Sequence, residues 1–220
     1  CWDVAVGKTK IQVKTHAKAS TTSARWSAID YNPDAELDQL VSKKTKALVI
    51  CNPHNPLGFV LSKEQLAALS EWAVQTGITI ISDEVWSDIV HTHEPFHSIR
   101  AVSSKAWIIY GLSKGFGLAG LRIGSIIAPS EEQAELLADH CGYLRTIEGA
   151  STLSQVAAEA ALIGGYAHTL EAVSLFKKNL ELAVTSFNQT DFLMCEMPQG
   201  TFVLSVKHPS NWNTETLCER

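Results

Sequence analysis

The chain lacks several features that would assign a function class directly. No apolar run approaches the roughly 20 residues a membrane-spanning helix needs, so no membrane partner is expected. Lysine and arginine form no runs, and the formal net charge of −5 argues against a nucleic-acid surface. The five cysteines (Cys1, Cys51, Cys141, Cys195 and Cys218) are odd in number and widely spaced, with no C-x-x-C pair. They indicate neither a zinc site nor a disulfide framework, and reduced thiols fit a cytoplasmic protein. No basic segment followed by an apolar one opens the chain, so no signal peptide is read. An initiator methionine is missing too, and the abrupt start at Cys1 leads us to expect a fragment. Internal repeats and low-complexity tracts are absent.

What remains is an ordinary globular composition, 45% apolar and 19% charged over 220 residues, enough to bury a substantial core. Ile11 to His16 alternates like a half-buried strand. Asn32-Pro33-Asp34 reads as a helix start, with the helix running to about Ser42. Lys46 to Cys51 is continuously apolar, the pattern of a strand buried on both faces of a parallel sheet. The turn Asn52-Pro-His-Asn-Pro-Leu-Gly58 follows. Ser62-Lys-Glu-Gln65 is a capping box for a helix carrying Leu66, Leu69, Trp72 and Ala73, with Gly77 placed to end it. Ile78 to Ser82 is a second buried strand, so the two strands and their helix make a right-handed βαβ unit. Ligands bind beyond the carboxyl ends of such strands, which aims Asn55 and Asp83 at one crevice.

A third strand, Lys105 to Ile109, leads into Tyr110-Gly-Leu-Ser-Lys-Gly-Phe-Gly-Leu-Ala-Gly-Leu-Arg-Ile-Gly124, and a fourth runs from Arg122 to Ala128. Ser130 to about Leu144 reads as a helix, and Ser151 to Ile163 as an Ala-rich, closely packing one. Tyr166 to Phe187 reads as a long amphipathic helix with Leu170, Val173, Phe176, Leu180 and Val184 on one face. Strands at Phe192 to Glu196 and Thr201 to Lys207 flank the turn Met197-Pro-Gln-Gly200.

Within the glycine-rich stretch, Lys114 sits among apolar residues and Arg122 follows eight positions later. A poorly solvated amine sheds its proton more easily and can condense with an aldehyde, while an arginine can clamp a phosphate with two parallel hydrogen bonds. That pairing is what pyridoxal phosphate requires. Gly115-Phe-Gly117-Leu-Ala-Gly120 matches the dinucleotide pattern, but a strand-like run rather than a helix follows it. His91, His93 and His97 are read as a polar loop, with no metal assigned. Taken singly, Asn55 and Asp83 would be turn or cap residues, Lys114 a solvated lysine and Arg122 an edge residue of a strand.

Together, Asn52 to Gly58, Ser82-Asp-Glu84, Ser113-Lys114 and Gly120-Leu-Arg-Ile-Gly124 resemble the class I/II aminotransferase family of pyridoxal-phosphate enzymes. The resemblance covers roughly the middle of the chain. It implies an α/β fold of type I, a mostly parallel sheet sandwiched by helices, with the start of a smaller α+β domain. Residues 1–164 would belong to the large cofactor-binding domain, 165–187 to a connecting helix and 188–220 to the small domain. Lys114 would carry the cofactor as a Schiff base and act as the catalytic base and acid. Asp83 would pair with the pyridine nitrogen, Asn55 with the phenolic oxygen and Arg122 with the phosphate.

Ser113 and Trp86 join the cofactor-binding set with less defined parts. Gly111 replaces the family's usual phosphate-binding serine, and Trp86 stands where many members have tyrosine. The implied function is an aminotransferase acting on an amino acid, as a homodimer if the parent protein is complete. His54 and the Ser-Asp-Glu run also resemble the cystathionine β-lyase-like C–S lyase branch. A third alternative is a truncated, non-catalytic remnant, because the family's upstream phosphate loop and downstream carboxylate-binding arginine are not matched here.

Overall fold

The computed structural model describes residues 2–6, 9–13, 37, 41–141 and 149–209. Two short strands, β1 (Trp2–Val6) and β2 (Thr9–Val13), pair antiparallel as a separate ribbon. The strand expected from Ile11 thus begins two residues earlier, and its end at residues 14–16 lies outside the described residues. So does the helix expected from Asn32, apart from its end and Leu37, which is helical and buried in the core.

The main sheet runs in the order β3 (Ala47–Cys51), β4 (Thr79–Asp83), β5 (Trp107–Gly111), β6 (Gly124–Ile127). The first three are parallel and β6 returns antiparallel to β5. Helix α1 (Lys63–Thr76) makes the crossover between β3 and β4. Its ends form as the sequence dictates. The Ser62 hydroxyl accepts from Gln65 N–H, the Gln65 side chain accepts from Ser62 N–H, and Gly77 closes the helix at φ 68°.

Leu66, Leu69 and Ala73 on the inner face of α1 meet Ile80 and Ile108 of the sheet, with Leu61, Ile99 and Ala106 completing the core. β4 is the buried centre of the parallel trio. β3 is only half-buried along its length, against the expectation of burial on both faces, because it stands at the end of the sheet order.

Beyond β5 the chain makes a one-turn helix, α2 (Leu112–Gly115), then a 3-10 turn (Ala119–Leu121). β6 begins at Gly124, so Arg122 is not on a strand as expected. It sits in the preceding turn with a left-handed backbone, φ 51°.

Helix α3 (Glu131–Cys141) has Gln133 N–H bonded to the Ser130 hydroxyl, and its expected extension to Leu144 lies outside the described residues. Helix α4 (Thr152–Gly164) is capped by Ser151. Its close packing is confined to one stripe: Ala158 meets Leu112 and Phe116, and the Ser154 hydroxyl donates to Leu121 C=O at 2.7 Å, while Leu153 and Ile163 face outward.

The long helix α5 (Tyr166–Asn188) matches the expected length. Its inner face holds Thr169 and Leu180, whereas Leu170, expected there, is exposed. Strands β7 (Met194–Cys195) and β8 (Val206–Lys207) pair antiparallel. Thr201 to Ser205 is not strand, because this segment is engaged elsewhere.

That engagement joins segments far apart in the sequence. Gln199 N–H and Gly200 N–H both donate to Gly58 C=O, Thr201 N–H donates to Ile89 C=O, and the Gln199 side chain accepts from Val60 N–H. The turn at 197–202 is thereby fastened to the turn at 52–58 and to the segment after β4. No helix among the described residues is long and apolar enough to cross a membrane.

Candidate active site

The parallel register of β3 and β4 pairs Cys51 with Asp83, so both strands end at the same level. Asn52 N–H donates to Asp83 C=O at 3.0 Å and seals the join. From there the chain turns through residues 52–58, held by Gly58 N–H to His54 C=O at 2.7 Å. The His54 ring stacks on Phe59 at 4.5 Å and its Nδ1 accepts from Leu57 N–H, which fixes the turn's shape. Burial holds the His54 imidazole below its usual pKa, consistent with an unprotonated Nδ1. Asn55 stands exposed on this turn.

Asp83 is half-buried at the end of β4 and accepts from Val85 N–H at 3.2 Å. Burial raises its pKa, while the Val85 N–H and the positive charge of Lys114 pull it back down. The charge of Lys114, just past the end of β5, thus acts on Asp83 at the end of the neighbouring β4. The Cys51 thiol beside them is pushed up by burial and by the Asp83 charge, against a lowering hydrogen bond from the Asn55 backbone.

Lys114 occupies α2 and is itself half-buried. Its Nζ stands 4.9 Å above the centre of the Trp86 ring. Trp86 is only 3% exposed and is fixed from behind by Phe202, edge-on at 4.7 Å, which in turn touches Phe176 of α5 at 5.0 Å. Neither the Trp86 face contact nor its aromatic backing has a signature in the sequence, because Trp86, Phe176 and Phe202 come from three distant elements.

Ser113 and Arg122 line a cavity of about 370 Å³ whose walls include Val85, Gly111, Gly124 and Ile126. A non-glycine residue with positive φ is uncommon and carries backbone strain. Arg122 has that conformation at the cavity rim. A Cβ at Gly111 would come within 3.3 Å of Val85 Cγ1, so the backbone there lies flat against its neighbour. Lys114 and Asp83 are not in the wall of this cavity, so the predicted residues fall into two adjoining groups: amine, carboxylate and indole in one, hydroxyl and guanidinium in the other.

Two further residues support the lysine turn and were missed in the sequence. The Tyr110 hydroxyl donates to Asp88 Oδ2 at 2.9 Å, and Asp88 lies against Gly115, the residue after Lys114. Burial raises the pKa of Asp88, and burial together with the Asp88 charge raises that of Tyr110. Glu84, buried beside Asp83, turns away from the site and accepts from Ser98 Oγ and Ile99 N–H. Among the described residues no group of three His, Cys, Asp or Glu side chains is arranged to hold a metal ion.

Comparison with known proteins adds an independent finding. The family model described as aminotransferase class I and II matches residues 17–220. The Bacillus subtilis protein YugH, provisionally named an aminotransferase, is 33% identical over 175 residues, covering 76% of this chain and 43% of its own. The aspartate aminotransferase structure from Thermotoga maritima superposes with a TM-score of 0.66 at 32% identity, covering 76% of this chain and 43% of its own. A PLP-bound structure from Clostridium difficile 630, also provisionally named an aminotransferase, gives a TM-score of 0.70 at 28% identity, covering 75% of this chain and 44% of its own. The chain thus spans about two fifths of the length of the curated relatives it matches.

Proposed function

The chain belongs to the class I and II aminotransferase family, and from that premise we propose that its protein is a pyridoxal-phosphate-dependent aminotransferase acting on an amino acid. The observation that carries the reading is that Asp83 ends β4 while Lys114 lies just past the end of the neighbouring β5, close enough for its charge to act on the Asp83 carboxyl. The donor set fits the cofactor's chemistry: an amine for its aldehyde, a carboxylate for its ring nitrogen, and Arg122 with Ser113 at a cavity wall for its phosphate. Asn55 serves the phenolic oxygen from the turn after β3, and Trp86 stands beside the set without a defined part in it.

When bound, pyridoxal phosphate supplies an electron sink for the carbanion at the substrate's α-carbon. Lys114 would hold the cofactor through its amine and, once free, would take and return the proton at the substrate's α-carbon. Asp83 keeps a proton on the ring nitrogen by hydrogen bonding to it as a carboxylate. Its half-buried setting strengthens that contact over what water would allow. Arg122 and Ser113 anchor the phosphate and so fix the register of the ring.

The domain division at residues 164/165 and 187/188 follows the same reading. A cytoplasmic location and, if the parent protein is complete, a homodimer are also part of it; the outward apolar residues of α4, Leu153 and Ile163, suit a covered face. An active monomer in light scattering would overturn the assembly.

The test is titration of the purified protein with pyridoxal phosphate, then borohydride reduction and peptide mapping. Fixation on Lys114, lost in K114A and weakened in D83N, is the expected result. Label scattered over surface lysines would overturn the reading and leave a fold without the activity. Amino-acid turnover with keto-acid formation and transfer of the amine to an acceptor identifies an aminotransferase. Release of free ammonia identifies the lyase alternative instead.

A further inference from the structure

The contact between Trp86 and Lys114 is not used by that reading. Trp86 follows Asp83 by three positions on the chain. Its face is turned to the lysine, with Nζ 4.9 Å from the ring centre, inside the roughly 6 Å over which a cation is held by an aromatic face. The ring cannot turn away easily. It is 3% exposed, Phe202 abuts it at an interplanar angle of 71°, and Phe176 of α5 backs Phe202. Backbone bonds from Ser87 N–H to Glu84 C=O and from Ile89 N–H to Trp86 C=O fix the turn that carries it.

We propose that Trp86 is a positioning residue for Lys114, its indole face holding the lysine's free ammonium group in place when that group is not covalently engaged. The proposal rests on the assignment of Lys114 as the reactive amine. It replaces hydrogen bonding by a phenol at this position with a cation–aromatic contact aimed at a different atom. The consequence is a restraint on the amine: the side chain is kept at one place beside Asp83. Other charges bear on the same group. Asp83 from β4 attracts the ammonium. Asp88, against Gly115, is engaged by the Tyr110 hydroxyl. Arg122 lies at the adjoining cavity. All of these are retained when Trp86 alone is changed, so they cancel in a comparison of variants.

Two measurements on the full chain, made before any pyridoxal phosphate is added, test the proposal. In the unchanged protein carrying 13C-labelled lysine, the ring current of Trp86 should move the ε-methylene protons of Lys114 upfield of the other lysines. A Lys114 resonance with the other lysines overturns the proposal without any variant being needed. Acylation by a small amine-selective reagent, followed by peptide mapping, gives the second reading. The amine must leave the indole face to be attacked, so Lys114 should react faster in W86L than in the unchanged protein, by about two- to thirty-fold for a cation–aromatic contact of ordinary strength. W86F keeps a weaker aromatic face and should fall between the two.

A purely structural role would lower the melting temperature of both variants but would not produce the order Trp, Phe, Leu in labelling rate. Equal rates in all three, or slower reaction in W86L, overturn the proposal. Failure of the functional reading would look different, since pyridoxal phosphate would then not be fixed to Lys114 while the upfield shift persisted.

Discussion

Replacing Gly115 by alanine tests how tightly the turn carrying Lys114 is held. The new methyl would stand 2.7 Å from Asp88 Cβ, 2.9 Å from its Oδ2 and 3.2 Å from its Cγ. Carbon atoms pack comfortably at roughly 3.5–4.0 Å, so one of the two groups must retreat by most of an ångström. Asp88 cannot swing aside freely. Its closest atom is Cβ, joined directly to a backbone tied by the turn at residues 84–89, and its carboxylate accepts the Tyr110 hydroxyl at 2.9 Å. The strain therefore passes to one backbone or the other.

Forcing a methyl group into a packed site costs about 1–3 kcal/mol. Alanine's better helix propensity returns up to about 1 kcal/mol, though little of that is available in a helix as short as α2. G115A should thus be destabilised by about 1–2 kcal/mol, or several degrees of melting temperature at this chain length. Thermal and urea unfolding of G115A, D88G and the double variant decide the matter. In D88G the obstructing Cβ is gone, so G115A should cost little in that background and the cycle should show a coupling of about 1 kcal/mol or more. Equal destabilisation in both backgrounds, or no loss in G115A itself, would refute the reasoning.

Gly200→Ala should also destabilise by about 1–3 kcal/mol, because the added carbon would lie 2.7 Å from Pro53 Cβ and 3.0 Å from Ile89 C=O, neither of which can yield. Hydrogen exchange at Thr201 N–H, now bonded to Ile89 C=O, should accelerate, and unchanged protection there would count against the docking of the two turns. Glu84 has its pKa raised mainly by burial, with the Ile99 N–H and Ser98 hydroxyl acting against it. A raised carboxyl favours folding below its unfolded pKa, near 4, and loses that contribution as pH rises through the folded value. E84Q keeps the acceptor without the charge, so its stability relative to the unchanged protein should grow between about pH 4 and neutrality, and a flat or falling difference in urea melts would contradict this. Ser62→Ala should cost about 1 kcal/mol in the same assay and Ser62→Gly clearly less, since the cap bond to Gln65 N–H is lost in both but glycine tolerates the position.

The parts of the fold legible in the sequence are those determined within one or two turns of chain. The capping box at Ser62 and the left-handed stop at Gly77 use residues three positions apart or a single φ angle, and both form as read. The strand periods place Asn55 and Asp83 after neighbouring parallel strands; the strands are parallel neighbours, with Asn55 in the turn after β3 and Asp83 the last residue of β4 itself. Errors arose where exposure depends on what lies alongside. β3 reads as doubly buried, but the same apolar run serves at the end of a sheet. Leu170 belongs to the apolar stripe of α5 by spacing, yet the helix turns Thr169 inward.

The setting of Lys114 shows why the remaining part of the site could not be read this way. Its charge partner comes from β4, its aromatic platform from the turn beyond β4, and the backing of that platform from α5 and the turn after Gly200. Asp88 and Tyr110, which brace the residue after the lysine, are 22 positions apart. No periodicity joins such residues; the pairing of β4 with β5 brings the lysine to its carboxylate, and the docking of residues 197–202 brings Phe202 behind Trp86. The strand ends therefore specify which groups can meet. How firmly the lysine is held depends on a tertiary contact made by the far end of the described chain. If that is right, G200A should loosen Phe202 and weaken the upfield shift of Lys114 although residue 200 touches neither side chain's charge. A G200A variant whose exchange protection at Thr201 is lost while the Lys114 shift is unchanged would show instead that Trp86 holds its place without the turn behind it.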